Sequence, residues 1–174
     1  TRDRFISDMK NNTNDELRAA LELLKNWNLE ADSSNKAAAL AFMVLPMSFR
    51  DEDLRYELDE IIIKLYESIN YLNRKYGTIE VPLGRVFRLV RGNKQYPLSG
   101  GPGLLRAIYC KKINGIYQAQ AGDCYIQAVE WAPDGKLKAW SVHQFGSATL
   151  DSTSSHYSDQ AELFHKEKMK IIRP

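Results

Sequence analysis

The feature that most constrains this chain is a change of period near Gly77. Upstream, Leu54, Leu58, Ile61, Ile62, Leu65, Ile69 and Leu72 recur three and four residues apart, the spacing that lines one face of an α-helix. The stripe predicts a long amphipathic helix from about Asp51, with Gly77 placed to stop it. Downstream, Gly, Pro and β-branched residues punctuate short apolar runs, which predicts strands. A helical first half and an antiparallel, β-rich second half make an α+β chain. With 174 residues, no internal repeat and no low-complexity linker, residues 1–174 read as one segment, helical over 1–77 and β-rich over 78–174.

Local signals fill in the elements. Thr13 with Glu16 forms a capping box, in which the threonine hydroxyl accepts from an early helical amide and the glutamate reaches back. Leu17, Ala20, Leu21, Leu24 and Trp27 then share one helical face, so a helix is predicted to end near Trp27. Ser33 and Ser34 are predicted N-caps for a buried helix through Ala37 to Leu45, which Pro46 ends. Asn114 and Gly115 favour the tight hairpin turn whose positive φ values match strand twist. Pro133, Asp134 and Gly135 predict a second hairpin, joining a strand near Asp123 to Trp131 with one near Lys136 to Gln144. A last helix is expected from about Tyr157 to Lys168, with a short strand over Met169 to Ile172.

Charge excludes some partners. Lys and Arg total 24 against 22 Asp and Glu, and the basic residues are interspersed with acids, as in Lys166, Glu167 and Lys168. A net charge of +2 creates no long-range field for a phosphate backbone, so nucleic acid is not an expected partner. The run Ala37 to Leu45 is far shorter than the ~18 residues of a membrane span, so none is expected. The polar start, Thr1 to Arg4, has no apolar signal region behind it, which puts any export signal outside this chain. Cys110 and Cys124 are too few for a disulfide framework and lack zinc spacing; they can pair only if they face each other on neighbouring strands.

Several constellations have the residue types for chemistry without the pattern. Ser147, His143 and Asp123, or His156 in place of His143, supply nucleophile, base and orienting carboxylate, but no Gly-x-Ser-x-Gly elbow surrounds the serine. They read instead as hydrogen-bonded strand and loop residues. A zinc site from His143, His156, Cys110 and Cys124 has no short ligand pair to anchor it. Ser99 to Gly103 lacks the Gly-Lys-Ser/Thr ending of a phosphate loop and reads as a turn before a strand. Thr1 is a poor N-terminal nucleophile, because Arg2, Asp3 and Arg4 give it a polar start rather than a buried strand. Asn11 to Thr13 fits a glycosylation sequon, a pattern frequent by chance.

From Ala121 onward the order of features is more specific. Gly122, Asp123, Cys124 and Tyr125 precede a strand, the Pro133 to Gly135 turn and a second strand. His143, Gln144, Phe145, Gly146 and Ser147 follow, and then Ser154, Ser155, His156, Tyr157, Ser158, Asp159 and Gln160. This order resembles the C-terminus of the penicillin amidase family, which includes penicillin acylases and acyl-homoserine lactone acylases. Upstream blocks agree in register: Leu24 to Trp27 with Asp32 and Ser34, Leu83 to Gly92, and Pro97 to Pro102. The stretch His143 to Ala148 is more similar to the lactone acylases. Ser155 stands where the family usually has proline, and Asn28 where it has aspartate.

The resemblance implies the C-terminal portion of an αββα N-terminal-nucleophile hydrolase, periplasmic or secreted and without a cofactor. Its precursor cuts itself to expose a serine, whose α-amine acts as base while backbone amides and an asparagine hold the oxyanion. By the family's layout these groups lie upstream, so this chain carries no catalytic residue and is expected to be inactive alone. Gly146, Ser147, Ser154, His156, Tyr157, Asp159 and Gln160 are then structural signature residues. The implied partners are the rest of the same acylase and a small N-acyl substrate. The alternative is a non-catalytic scaffold or binding module that retains the acylase fold.

Overall fold

The computed structural model describes residues 15–44, 58–148 and 150–172. Thr1, the Asn11 sequon, the capping residue Thr13, Pro46 and the Asp51 onset of the long helix lie outside the described residues.

Helix α1 (Asp15–Lys25) buries Leu17, Ala20, Leu21 and Leu24, with acids in its first turn and Lys25 in its last, matching the helix dipole. It ends before Trp27, because the indole is engaged outside the helix: its N–H donates to the Glu30 carbonyl at 2.9 Å and its ring meets Phe42 edge-on. Helix α2 (Ala38–Val44) is almost wholly buried. Its cap is neither Ser33 nor Ser34 but Asn35, whose Oδ1 accepts from the amides of Ala37 and Ala38, both at 3.0 Å. Ser34 is diverted to Asp32, whose Oδ1 takes both its amide and its hydroxyl.

Helix α3 (Leu58–Tyr76) carries the stripe read from the sequence from Ile61 onward, with Ile61, Leu65, Ile69 and Leu72 buried; Leu54 lies outside the described residues. Gly77, at φ +76°, closes it by donating to the Asn73 carbonyl. A single helical turn that the sequence did not suggest, α4 (Leu83–Val86), follows Pro82, a residue that presets the dihedral of a helix start.

The rest is two sheets. The first orders its strands β2 (Lys94–Pro97), β1 (Phe87–Arg91), β4 (Ile116–Gly122), β3 (Ile108–Ile113), antiparallel except for a short parallel contact between β1 and β4. The β3–β4 turn has Asn114 at φ +50° and Gly115 at φ +73°, the two positive values its sequence demands. The second sheet orders β5 (Tyr125–Trp131), β6 (Leu137–His143) and β7 (Lys170–Ile172), all antiparallel. Strand β5 begins at Tyr125 rather than Asp123. Asp123 is held in the corner between the sheets, exchanging bonds with Ala107 through its own amide (2.9 Å) and its Oδ2 (3.0 Å).

Helix α5 (Ala161–His165) is much shorter than the predicted Tyr157 to Lys168. Its predicted first turn is engaged elsewhere: the Tyr157 carbonyl accepts from Arg91 Nε and the Gln160 amide donates to the Phe145 carbonyl. After it, Glu167 at φ +56° reverses the chain, and the Lys168 amide returns to Leu163. This helix touches β1 and β2 of one sheet and β6 of the other. Helices, antiparallel strands and one parallel contact make the chain α+β. Among the described residues no helix is long and apolar enough to cross a membrane.

Because Asn35 caps α2 with both its amide bonds, Asn35→Ala should lower stability by about 1 kcal/mol in a denaturant titration, whereas Ser33→Ala should leave α2 capped.

Candidate functional site

The C-terminal signature residues meet at the junction between β6 and α5. Gly146 is required by proximity: a Cβ there would stand 2.0 Å from the His156 carbonyl oxygen and 2.6 Å from Asp159 Oδ1. His156 Nδ1 lies 2.9 Å from Asp159 Oδ2, its amide donates to Ser154 Oγ, and its carbonyl accepts from the Ala148 amide. Gln160 is nearly fully buried and ties α5 to the end of β6. Its Oε1 accepts from the His143 amide at 3.0 Å, and its own amide donates to the Phe145 carbonyl at 2.8 Å. Ser147 is exposed beside this knot.

Two arginines outside the signature fasten the junction to the first sheet. The Arg91 guanidinium lies 3.8 Å from the Tyr157 ring centre and 4.8 Å from that of Phe145, and its Nε donates to the Tyr157 carbonyl. Arg106 lies over the Phe164 ring at 4.3 Å, bonds the Phe164 carbonyl and pairs with Glu167 at 2.8 Å. Burial pulls the Arg106 pKa down and the Glu167 carboxylate opposes that shift. Neither arginine was singled out from the sequence, because Arg91 and Tyr157 are 66 residues apart and only the fold joins them. Arg91's place inside the Leu83 to Gly92 block was the one available signal.

The generic constellations do not assemble. Asp123 is committed to Ala107, the His143 ring lies against Tyr125, and no hydrogen bond joins Ser147, His143 and Asp123 among the described residues. His156 is oriented by Asp159 but has no bond to Ser147. No cluster of metal-ligating side chains occurs among the described residues, so the His143, His156, Cys110 and Cys124 set is not brought together. The glycine-rich stretch is a packed turn: a Cβ at Gly101 would stand 2.5 Å from the Phe42 ring, and one at Gly100 2.5 Å from the Arg106 carbonyl oxygen. Cys110 and Cys124 are both free and lie in and beside different sheets.

The upstream blocks also converge. The Gly84 amide donates to the Ser33 carbonyl at 2.8 Å, the Gly100 amide to Ala31 at 2.7 Å, and the Ser33 amide to Ser99 Oγ at 3.0 Å. Gly84 has no room for a side chain, since its Cβ would come within 2.4 Å of Pro97. Asn28 Oδ1 accepts from Glu30 and Asn35, as a carboxylate would, and its Nδ2 adds a 2.7 Å bond to Glu30 that aspartate has no proton to make. The Ser155 amide has no hydrogen bond among the described residues, so proline at that position would lose none.

Over residues 1–173 the sequence matches the family model described as penicillin amidase, which makes this α+β chain an amidohydrolase-family segment. The chain belongs to the penicillin amidase family.

Burial pushes the Cys110 thiol up to about 12. The folded protein therefore keeps that proton between pH 9 and pH 12, where an unfolded thiol would release it. The stabilisation from Cys110 is complete below pH 9 and is lost as pH rises through that window. Since the thiolate is the reactive form, a maleimide or iodoacetamide reagent near pH 8 should label the exposed Cys124 in the native protein and Cys110 only on unfolding. Peptide mass mapping after timed labelling checks this.

Proposed function

We propose that this chain is the C-terminal structural segment of an N-terminal-serine amidohydrolase that cleaves an N-acyl amide bond, such as that of an acyl-homoserine lactone or a β-lactam side chain. The carrying observation is that Ser154, His156, Asp159 and Gln160 direct polar atoms to one another and to nearby backbone. His156 is taken by Asp159 and Ser154, and Gln160 by His143 and Phe145. Such a set fixes backbone positions, which is the role of a support for a reacting strand held elsewhere. In this reading the nucleophilic serine, its α-amine and the oxyanion donors belong to the rest of the acylase, and the sheets here are part of its αββα sandwich. Location in the periplasm or outside the cell fits that assignment.

Two further observations support a segment of a larger domain. The register of β5 and β6 puts Tyr125, Val129, Trp131 and Leu137 on one face, and all four are exposed, Trp131 at 72% and Leu137 at 56%. The side-chain amide nitrogens of Gln144 and Gln160 are buried with no acceptor among the described residues, and a buried donor left unmet costs about 1–3 kcal/mol.

Intact-mass measurement and N-terminal sequencing of the full gene product test the assignment. The wild type should yield a large subunit that begins with serine and contains this segment. Asp159→Ala, which removes the partner of His156, should leave more unprocessed precursor or lower the melting temperature. A product with no internal serine cleavage, or an Asp159→Ala protein that matures and melts as wild type, would refute the assignment.

A further inference from the structure

The fold gathers cations that the sequence disperses. Two adjoining grooves, of about 570 and 260 Å³, share Lys75 as a wall. The larger is lined by Glu67, Asn70, Tyr71, Arg74, Lys75 and Lys112, and the smaller adds Arg85 and Arg88. Five cations thus face one carboxylate, although the whole chain has a net charge of only +2. Ion pairs form elsewhere, yet none of these five has a carboxylate partner among the described residues.

The cations are held in place by neutral groups. Lys112 lies 4.2 Å from the Tyr71 ring centre and Lys75 5.4 Å from it, so both charges are fixed against one ring. Lys75 also bonds the Gly115 carbonyl and the Tyr71 hydroxyl, while Arg85 lies over Tyr76. Burial raises the pKa values of Tyr71 and Tyr76, so their hydroxyls add no negative charge at neutral pH. Arg74 and Lys75 suit the end of α3, where cations complement the helix dipole, but that accounts for neither Lys112 on β3 nor Arg85 and Arg88 beyond the helix. Like charges crowded in this way repel until an anion joins them.

We propose that this groove binds a phosphorylated ligand carrying two phosphate groups. A phosphate monoester carries about −1.5 to −2 at neutral pH, so two such groups match the local excess of four positive charges, whereas carboxylates would have to converge four at a time. The combined space is that of a small-molecule site, and the Arg and Lys donors are the usual phosphate partners. The site is independent of the amidohydrolase assignment, because the groove, with cations on α3, α4, β1 and β3, is lined by no signature residue.

Titration of the intact protein with inorganic pyrophosphate by calorimetry tests the site. The wild type should bind saturably, one per chain, and more weakly as salt is added. Arg74→Gln with Lys112→Gln should weaken binding roughly tenfold or more, and Arg85→Gln alone should weaken it in the same direction. Lys138→Gln, outside the groove, should bind as wild type. Sedimentation with phosphatidylcholine vesicles containing diacylglycerol pyrophosphate, whose headgroup carries two phosphates, assigns the source. Co-sedimentation lost in the double variant supports a lipid headgroup, and pyrophosphate binding without co-sedimentation supports a soluble phosphorylated ligand. The absence of saturable pyrophosphate binding, undiminished binding in both groove variants, or tighter binding of a polyglutamate peptide would overturn the proposal.

Discussion

Burial of Ala161 and Phe164 between the two sheets is the contact on which the C-terminal architecture depends. A five-residue helix has no stability of its own, since nucleating a turn costs more than so few hydrogen bonds return. Helix α5 persists because tertiary groups grip it. Gln160 anchors its start to Phe145 and His143, Arg106 covers Phe164, and the ring of His165 stacks on Tyr96 while its Nδ1 meets the Pro97 carbonyl. Arg91, between Phe145 and Tyr157, extends the grip to the preceding turns. Without these contacts the second sheet would be attached to the first chiefly through the Gly122 and Asp123 corner.

The same logic orders the upstream half. Trp27, Phe42, Phe87, Tyr117, Tyr71 and Tyr76 form a continuous series of ring contacts with centres 5.0–6.2 Å apart. The series carries packing from the loop after α1, across the first sheet, to the end of α3, where the rings become the walls of the basic groove. Glycines permit the close approaches around it: Gly84 lies against Pro97 and Ser33, and Gly101 against Phe42. The stretches that resemble acylases are therefore mutual packing surfaces.

Elements with strong local signals were legible in the sequence. The α3 stripe, its Gly77 stop and the Asn114 and Gly115 hairpin follow from periodicity and backbone preference, and the structure places them where those signals do. Boundaries settled by side chains were not. Two serines looked like caps for α2 until Asp32 claimed Ser34, and the apolar spacing of Tyr157, Ala161 and Phe164 suggested a helix whose first turn is bonded instead to Arg91 and Phe145. The basic groove and both arginine clamps join positions far apart in the chain, so no local pattern carries them. The family itself was legible from the ordered residues between Gly122 and Gln160, and the match over 1–173 bears it out.

In the function proposed above, the bond-breaking groups of the enzyme lie outside this segment, which supplies their framework. The most direct measurement is kcat/KM of the mature full-length enzyme on a chromogenic N-acyl amide, with Ser147→Ala beside wild type. Ser147 is exposed and joined to neither His143 nor Asp123, so equal values per mature enzyme are expected. A loss of activity on the scale of a missing nucleophile, in a protein that matures and melts normally, would contradict it.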